Sequence, residues 1–376
     1  MKVIKHFIQA FAIALVATSC GGSNGTTGGE EPAKKDGSIT LTADRAAICS
    51  DGSDFVTFTV TLKADDGSVT DITDEAEIYL STTDELLDSY RFSTDKKGEY
   101  SFYAAYGLEM SEDVTVSAVP VIPEIPDDPQ ASATAFKHRM LLIEHTGATC
   151  PNCPLMMNVL KTVEENEAYS SRFNLVAAHS YDYSFDAAYS DAAEILTAAF
   201  NTSSTGNRPF PTVTFNLTKT SAGHSETEIC SMIDELSKES ASVGIAMGVE
   251  AADGEIFTNV EFKFGKTGEY RIGAWLLEDD VYATQTGATE EWHHIHNNAI
   301  RAMHSTNAIE RLYGTKLDKA DAGSKVSHLF RFTVDKDWEA ENCKVFVFVT
   351  EAVGDSYDIV NCAVCPAGET TGYEYK

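Results

Sequence analysis

Cys150 and Cys153, three positions apart in the stretch EHTGATCPNCP (residues 144–154), are the side chains of this chain best suited to chemistry. Their spacing serves three uses: a redox pair, an inert structural disulfide, or half of a zinc site shared with Cys362 and Cys365. Redox chemistry asks for a thiolate at a helix N-terminus, where unsatisfied backbone N–H groups and the helix dipole favour negative charge. The spacing places Cys150 at such a start, with Cys153 one turn further in and close enough to attack a mixed disulfide formed at Cys150. Pro154 suits the first turn, because the N–H it lacks would have had no helical partner there.

Three further groups compete for attention. NCAVCP (361–366) ends a strand pattern instead of opening a helix, so no dipole activates its thiols. With a turn at 354–356, Cys343 and Cys365 fall nearly opposite across a hairpin, and a structural disulfide between them is expected. His293, His294, His296 and His304 have a spacing that suits a transition metal. A helix here would instead bury Trp292, Ile295, Ala299 and Met303 and turn the histidines elsewhere, so no metal site is expected. His145 is expected either to emerge near the cysteine pair and tune its acidity or to take a hydrogen-bonded place in the core.

The elements that must hold these residues are legible as periodicities. Residues 38–120 alternate apolar and polar positions in short β-branched runs such as FVTFTVTLKA and GEYSFYAAY, the pattern of an all-β sandwich. Residues 121–136 contain three prolines and fit a semi-rigid extended linker. From 137 to 242 strands alternate with helices: RMLLIEH, then CPLMMNVLKTVEENEA with Leu155, Met156, Val159, Leu160 and Val163 on one face, FNLVAAHS, a helix over DAAYSDAAEILTAAFN, FPTVTFN, and a third helix from SETEIC. That order predicts an α/β layer with at least one parallel strand pair. Residues 243–376 return to antiparallel β patterning, and a second β domain is expected there.

Whole-chain properties bound the function. The 376 residues suffice for two or three domains. A formal charge of −30 repels phosphate backbones, so nucleic acid is not an expected partner. At the N-terminus, Lys2 and Lys5 precede the apolar FIQAFAIALVA, and Thr18 and Ser19 lead into Cys20, the layout of a signal peptide over residues 1–20. Its end resembles the lipobox of bacterial lipoproteins, with Ala17 where Leu is commonest; the resemblance makes Cys20 the lipidated residue and 21–37 a flexible tether. Export sets an oxidising environment for the remaining seven cysteines, and Cys49 or Cys230 is expected to stay unpaired.

Three resemblances sharpen this. Residues 38–120 are similar to bacterial immunoglobulin-like domains. Strand, C-x-x-C, amphipathic helix and a distant FPT opening another strand together resemble the thioredoxin fold, in which the proline before that strand is cis and lies beside the cysteines. Pro211 matches it, 61 residues after Cys150, and an inserted helix over 182–207 accounts for the extra length. Glu144, six residues before Cys150, matches the buried acid that serves the resolving thiol as proton acceptor. Thr149 and the inner Pro151-Asn152 depart from the thioredoxin sequence. Finally, TG-x-x-C-x-x-CP together with HIHNNAIRA resembles the Omp28-related outer-membrane lipoproteins of Bacteroidota over roughly residues 137–370.

The expectation is a multidomain chain: an immunoglobulin-like β-sandwich, a thioredoxin-like α/β domain and an antiparallel β domain, lipid-anchored at the outer membrane. Cys150 attack, resolution by Cys153, proton handling by Glu144 and docking beside Pro211 would exchange thiols and disulfides with exported proteins, with no cofactor. The rival is a non-enzymatic surface binding protein or adhesin whose β domains take a host protein or glycan ligand, with the cysteine pair a staple.

Overall fold

A computed structural model describes residues 37–203, 205–221, 223–317 and 319–376. The signal peptide, Cys20 and almost all of the tether lie outside the described residues.

The first unit follows from its alternation. Val56–Ala64 points Val56, Phe58, Val60 and Leu62 inward, and Gly98–Tyr106 contributes Phe102 and Ala104 from a second sheet. The two sheets close over one core that also takes Ile39, Leu41, Ile48 and Val116. The segment after it is extended, as its prolines require, but it is packed down. Lys263, almost fully buried, meets Asp128 at 2.9 Å, and Asn259 donates to the Pro123 carbonyl.

Beyond it lie β1 (Met140–Thr146), α1 (Cys153–Glu165), β2 (Phe173–His179), α2 (Asp191–Phe200), β3 (Thr212–Phe215) and α3 (Glu226–Leu236). Next come β4 (Val243–Ala252), β5 (Glu255–Phe264), β6 (Tyr270–Glu278), β7 (Ala299–Met303), β8 (Lys325–Thr333), β9 (Cys343–Val353) and β10 (Ser356–Pro366). β1 and β2 run parallel in register from Met140↔Phe173 to Thr146↔His179, the parallel pair expected from strand-helix alternation. β3 joins the other edge of β1 antiparallel.

The expected division at 242/243 does not separate two sheets. One nine-stranded sheet runs β3-β1-β2-β7-β6-β9-β10, with Lys219–Ser221 beyond β3 and Thr315–Lys316 beside β6. The seam is β7, which bridges parallel to β2 at Ala177↔Ala299 and pairs antiparallel with β6. The helix considered for this stretch does not form; residues 291–303 are a single 3-10 turn followed by strand. Of the helical stripe only Ala299 is buried, whereas His293 and His296 turn inward.

Both faces of the sheet are covered. α2 packs on one, against the parallel pair and β7, in a cluster that takes Leu141, Ile143, Val176 and Ala178 and continues through Trp275, Phe346, Phe348 and Ile359 of the later strands, where Leu312 and Tyr313 join it. On the other face α1 and α3 cover Met140, Leu142, Leu175, Val213 and Phe215. The β4-β5-β8 sheet covers the β6-β9-β10 half of that same face. α1 buries Met156, Leu160 and Val163 as its period predicts, but Leu155 lies outside the stripe at 52% exposure.

The cysteine pairing expected in the last hairpin is corrected by its register. The turn sets Cys365 one residue out of line with Cys343, and a bulge between Val349 and Thr350 shifts β10 by one more, so Cys365 lies opposite Val345. Diagonal neighbours on a sheet stand about 7–8 Å apart, beyond disulfide reach. Cys343 and Cys365 are free buried thiols on one face, and Cys362 faces the other, contacting Asn174 and the carbonyl of Met140. Opposite facing also rules out Cys362 and Cys365 as a joint zinc pair. Cys49 and Cys230, the residues expected to stay unpaired, are free as well.

Arg301 on β7 is buried and its Nε donates to Glu278 Oε2 of β6 at 2.6 Å, while Nη1 reaches the carbonyl of Ala187 before α2. Removing one member of such a pair strands a buried charge. Arg301→Met is expected to cost about 3–5 kcal/mol in urea unfolding, and adding Glu278→Leu to recover part of it.

Candidate functional site

The end of β1 delivers the chain into Gly147–Asn152, and α1 begins at Cys153 with Asn152 as its N-cap. Cys150 therefore sits three residues ahead of the helix, its carbonyl accepting the Cys153 N–H at 3.4 Å. The two sulfurs are joined in a disulfide with a Cα separation of 5.5 Å. Pro154 lies in the first turn, as its chemistry demands.

This disulfide is covered. Cys150 is 1% exposed and Cys153 0%. The cover is a strap at 285–287: Gln285 Nε2 donates to the Cys150 carbonyl at 2.9 Å, and the Thr286 N–H donates to the Ala148 carbonyl at 2.7 Å. At Gly287, φ is +75°, and a Cβ would stand 2.3 Å from the Pro151 carbonyl oxygen, so only glycine fits. The histidines considered for metal binding organise this strap. His294 Nδ1 accepts the Gln285 N–H at 3.0 Å. His293 Nδ1 accepts from Thr289 and Glu290, and its Nε2 meets Asn158 of α1 at 3.1 Å. Among the described residues no group of His, Cys, Asp and Glu has a metal-binding arrangement.

Beneath the cysteine loop lies a network that no motif in the sequence announces. Asp186 accepts the Ala148 N–H at 2.8 Å and sits 3.0 Å from His179 Nδ1. Burial pushes the Asp186 carboxyl up, but His179 and the N–H groups of Ala148 and Ala188 win and hold it below the ordinary range. The His179 ring meets His296 edge-on at 4.6 Å, and burial drives His296 toward its neutral form. Only the spacing H-x6-D hints at this network, and that signal is weak.

Glu144 is on β1, six residues before Cys150, and 6% exposed. Its Oε1 is buried without a hydrogen-bond partner. Burial raises its pKa to about 8, the Glu164 carboxylate adds to the rise, and a hydrogen bond with Thr146 opposes it. His145, its neighbour, points to the opposite face, where Nδ1 meets Thr197 of α2 at 3.1 Å and Nε2 meets Thr214 of β3 at 3.0 Å. Burial pushes it down to about 3. Of the two roles considered for His145 the structure has the hydrogen-bonded core one and not the tuning one: strand alternation sends residues 144 and 145 to different faces, and both ring nitrogens are already engaged.

Pro211 is buried and its bond to Phe210 is cis. The next residue, Thr212, pairs with His145, so Pro211 stands at the strand end from which the cysteine loop departs. Phe210 packs edge-on against Tyr181 at 5.3 Å, and Tyr181 crowds Gly147 so closely that a Cβ there would lie 2.7 Å from its own. The structure brings Cys150, Cys153, Glu144 and Pro211 to one end of the sheet, and leaves Cys343 and Cys365 in the core.

Comparison with known proteins is consistent with a cell-envelope context. Residues 198–365 match the family described as outer membrane protein Omp28, within the stretch where the sequence resemblance was drawn. The match takes in Pro211 and the strap but begins beyond the cysteine pair. No curated protein matches the chain. Among solved structures the chain is similar to HBP35 of Porphyromonas gingivalis, with TM-score 0.49 and 16% identity over 62% of this chain and 77% of that one. It is also similar to a structural-genomics target from Agrobacterium tumefaciens, with TM-score 0.41 and 12% identity over 65% of this chain and 100% of that one.

The raised pKa of Glu144 makes stability pH-dependent with a definite sign. A carboxyl that binds its proton more tightly when folded contributes fully below its unfolded pKa, near 4.5, and the contribution is lost as pH rises toward about 8. Glu144→Gln keeps the shape and removes the titration. In urea unfolding, wild type is expected to lose stability relative to this variant on going from about pH 5 to about pH 8, by up to about 1.4 kcal/mol for each pH step of one.

Proposed function

We propose that this chain, which carries an outer membrane protein Omp28 region at 198–365, works at the outer membrane as a thiol-disulfide exchange protein. In this reading residues 137–242 form a thioredoxin-like module, 38–120 an immunoglobulin-like spacer and 243–376 the β unit that supplies the strap, with Cys20 the lipidated anchor. The observation that carries it is the disulfide Cys150–Cys153 at the head of α1, at the end of the strand that holds a buried Glu144 with one unpartnered oxygen.

In the oxidising direction a thiolate of an exported protein attacks Cys150 Sγ. The Cys150–Cys153 bond breaks, and Cys153 leaves as a thiolate that takes up a proton. A second thiolate of the substrate then attacks the mixed disulfide, closing the substrate's own disulfide and releasing Cys150. Two electrons pass from the substrate dithiol to the cysteine pair, and the reduced pair runs the same steps backwards on a substrate disulfide. Glu144 is a neutral acid at pH 7 and fits the role of proton donor to Cys153 in the first direction and acceptor in the second.

Because both cysteines are buried, exchange requires the 285–287 strap to lift. Tyr181, Tyr183 and Phe185, exposed on the loop after β2, offer apolar contact to a substrate segment beside Pro211. Purified protein is expected to oxidise or reduce model dithiols and disulfides, with Cys150→Ser abolishing turnover; a serine variant as active as wild type overturns the reading. The potential of the pair is expected within roughly −270 to −120 mV, and a value below about −300 mV identifies a staple. Gln285→Ala, which deletes the bond to the Cys150 carbonyl, is expected to speed reduction of the folded protein by dithiothreitol several-fold, as read by thiol alkylation.

A further inference from the structure

On the far side of Glu144 from the sheet's α2 face is a cavity of about 480 Å³ between α1 and the 292–298 segment. Its volume lies in the range of small-molecule sites, roughly 300–1,000 Å³. Leu160, Leu175, Ala177 and Ile295 give it apolar walls, and Trp292 adds an aromatic ring. Glu144, Thr146, His179 and His296 bring polar atoms to the lining. The thiol-exchange reading uses Glu144 but leaves this space unassigned.

The polar groups of the cavity are not alike in their needs. His179 is committed to Asp186, and His296 to the Ala283 carbonyl. Glu144 is not committed: it is more than nine-tenths buried, it lines the cavity, and among the described residues no cation is paired with it; its Oε1 is enclosed by protein, so a group in the cavity meets the other oxygen. A buried carboxyl left so is costly, and a group that donates hydrogen bonds and carries positive charge relieves that cost best. Glu164 and Glu165 add two more carboxylates to the lining, against one ammonium, that of Lys161. Lys161 is already placed, its Nζ 4.6 Å over the Trp292 ring and 3.7 Å from Glu165. The cavity therefore has an acidic surplus, a buried carboxyl with no cation beside it, and apolar walls.

We propose that this cavity binds a small primary ammonium compound, with the ammonium at Glu144 and a short alkyl body along Leu160, Leu175 and Ile295. The entering ammonium takes the place of the carboxyl's proton, which is released to water, so Glu144, neutral in the empty site, holds the ligand as a carboxylate; neutral or anionic molecules of the same shape make no such exchange and are disfavoured, and the net charge of −30 draws cations toward the protein. The site does not include the disulfide, so it stands or falls without the exchange chemistry.

The test is calorimetric titration of the full chain with n-butylammonium, n-butanol and n-butyrate. Saturable binding of n-butylammonium is expected, at least tenfold tighter than n-butanol, with no binding of n-butyrate. Glu144→Gln is expected to weaken n-butylammonium at least tenfold, and Ala177→Leu, which fills the wall, to abolish it in a protein whose circular dichroism is unchanged. Cys150→Ser is expected to bind as wild type does, which separates this site from the exchange reading. Absence of saturable n-butylammonium binding to wild type overturns the proposal, as does equal affinity for n-butanol or an undiminished affinity in Glu144→Gln.

Discussion

The structure depends on one short strand finding two partners. β7 meets β2 through the Ala177↔Ala299 bridge, with the Ala177 N–H donating to the Asn298 carbonyl at 2.8 Å, and meets β6 along its other edge. A strand that short supplies few ladder bonds, so its position is fixed from the side: Arg301 is tied to Glu278 and to the loop before α2, and Ile300 enters the core under α2. Through this seam an α/β half and a β half become one sheet with a shared core. Asn361 adds a second tie, accepting the Arg139 N–H and donating to the carbonyls of Lys137 and Val243.

The candidate site follows from the same continuity. Because the sheet is unbroken, the segment between β6 and β7 is carried back over the end of β1, where Gln285 and Thr286 bond the loop that holds the cysteines. The disulfide is thus built by one half of the molecule and enclosed by the other. His293 and His294 serve that enclosure through their ring nitrogens, which accept backbone N–H groups from the strap and its flank. Burial at this end of the sheet also explains the acid-base properties: Glu144 is kept protonated and His145 neutral by the same lack of water.

Much of this was legible in the chain itself, and the misses have physical causes. Alternation and helical periods located β1, α1, β2, α2 and β3 because each buries one definable face. The cysteine pair, the acid at 144 and the proline at 211 are position-specific signals, and the structure gathers them at one sheet end. The stretch at 291–303 misled because AIRAM favours a helix locally, whereas its two neighbouring strands impose extended backbone. The hairpin pairing of Cys343 and Cys365 failed on register, one residue from the turn and one from the bulge, neither of which periodicity reveals. Asp186 and Gln285 escaped notice because they bond backbone groups far along the chain, and His179 because a histidine seven residues before an aspartate is too weak a pattern to stand out.

The strap has one more consequence, for the order of events as the polypeptide is delivered. Gln285 follows Cys150 by 135 residues, so in a chain that enters an oxidising compartment N-terminus first, the cysteine loop arrives well before the segment that encloses it. Throughout that interval the two thiols lack the cover that later buries them. Oxidants and reductants thus meet the pair freely in the unfinished chain, and in the completed molecule only through an opening of that segment.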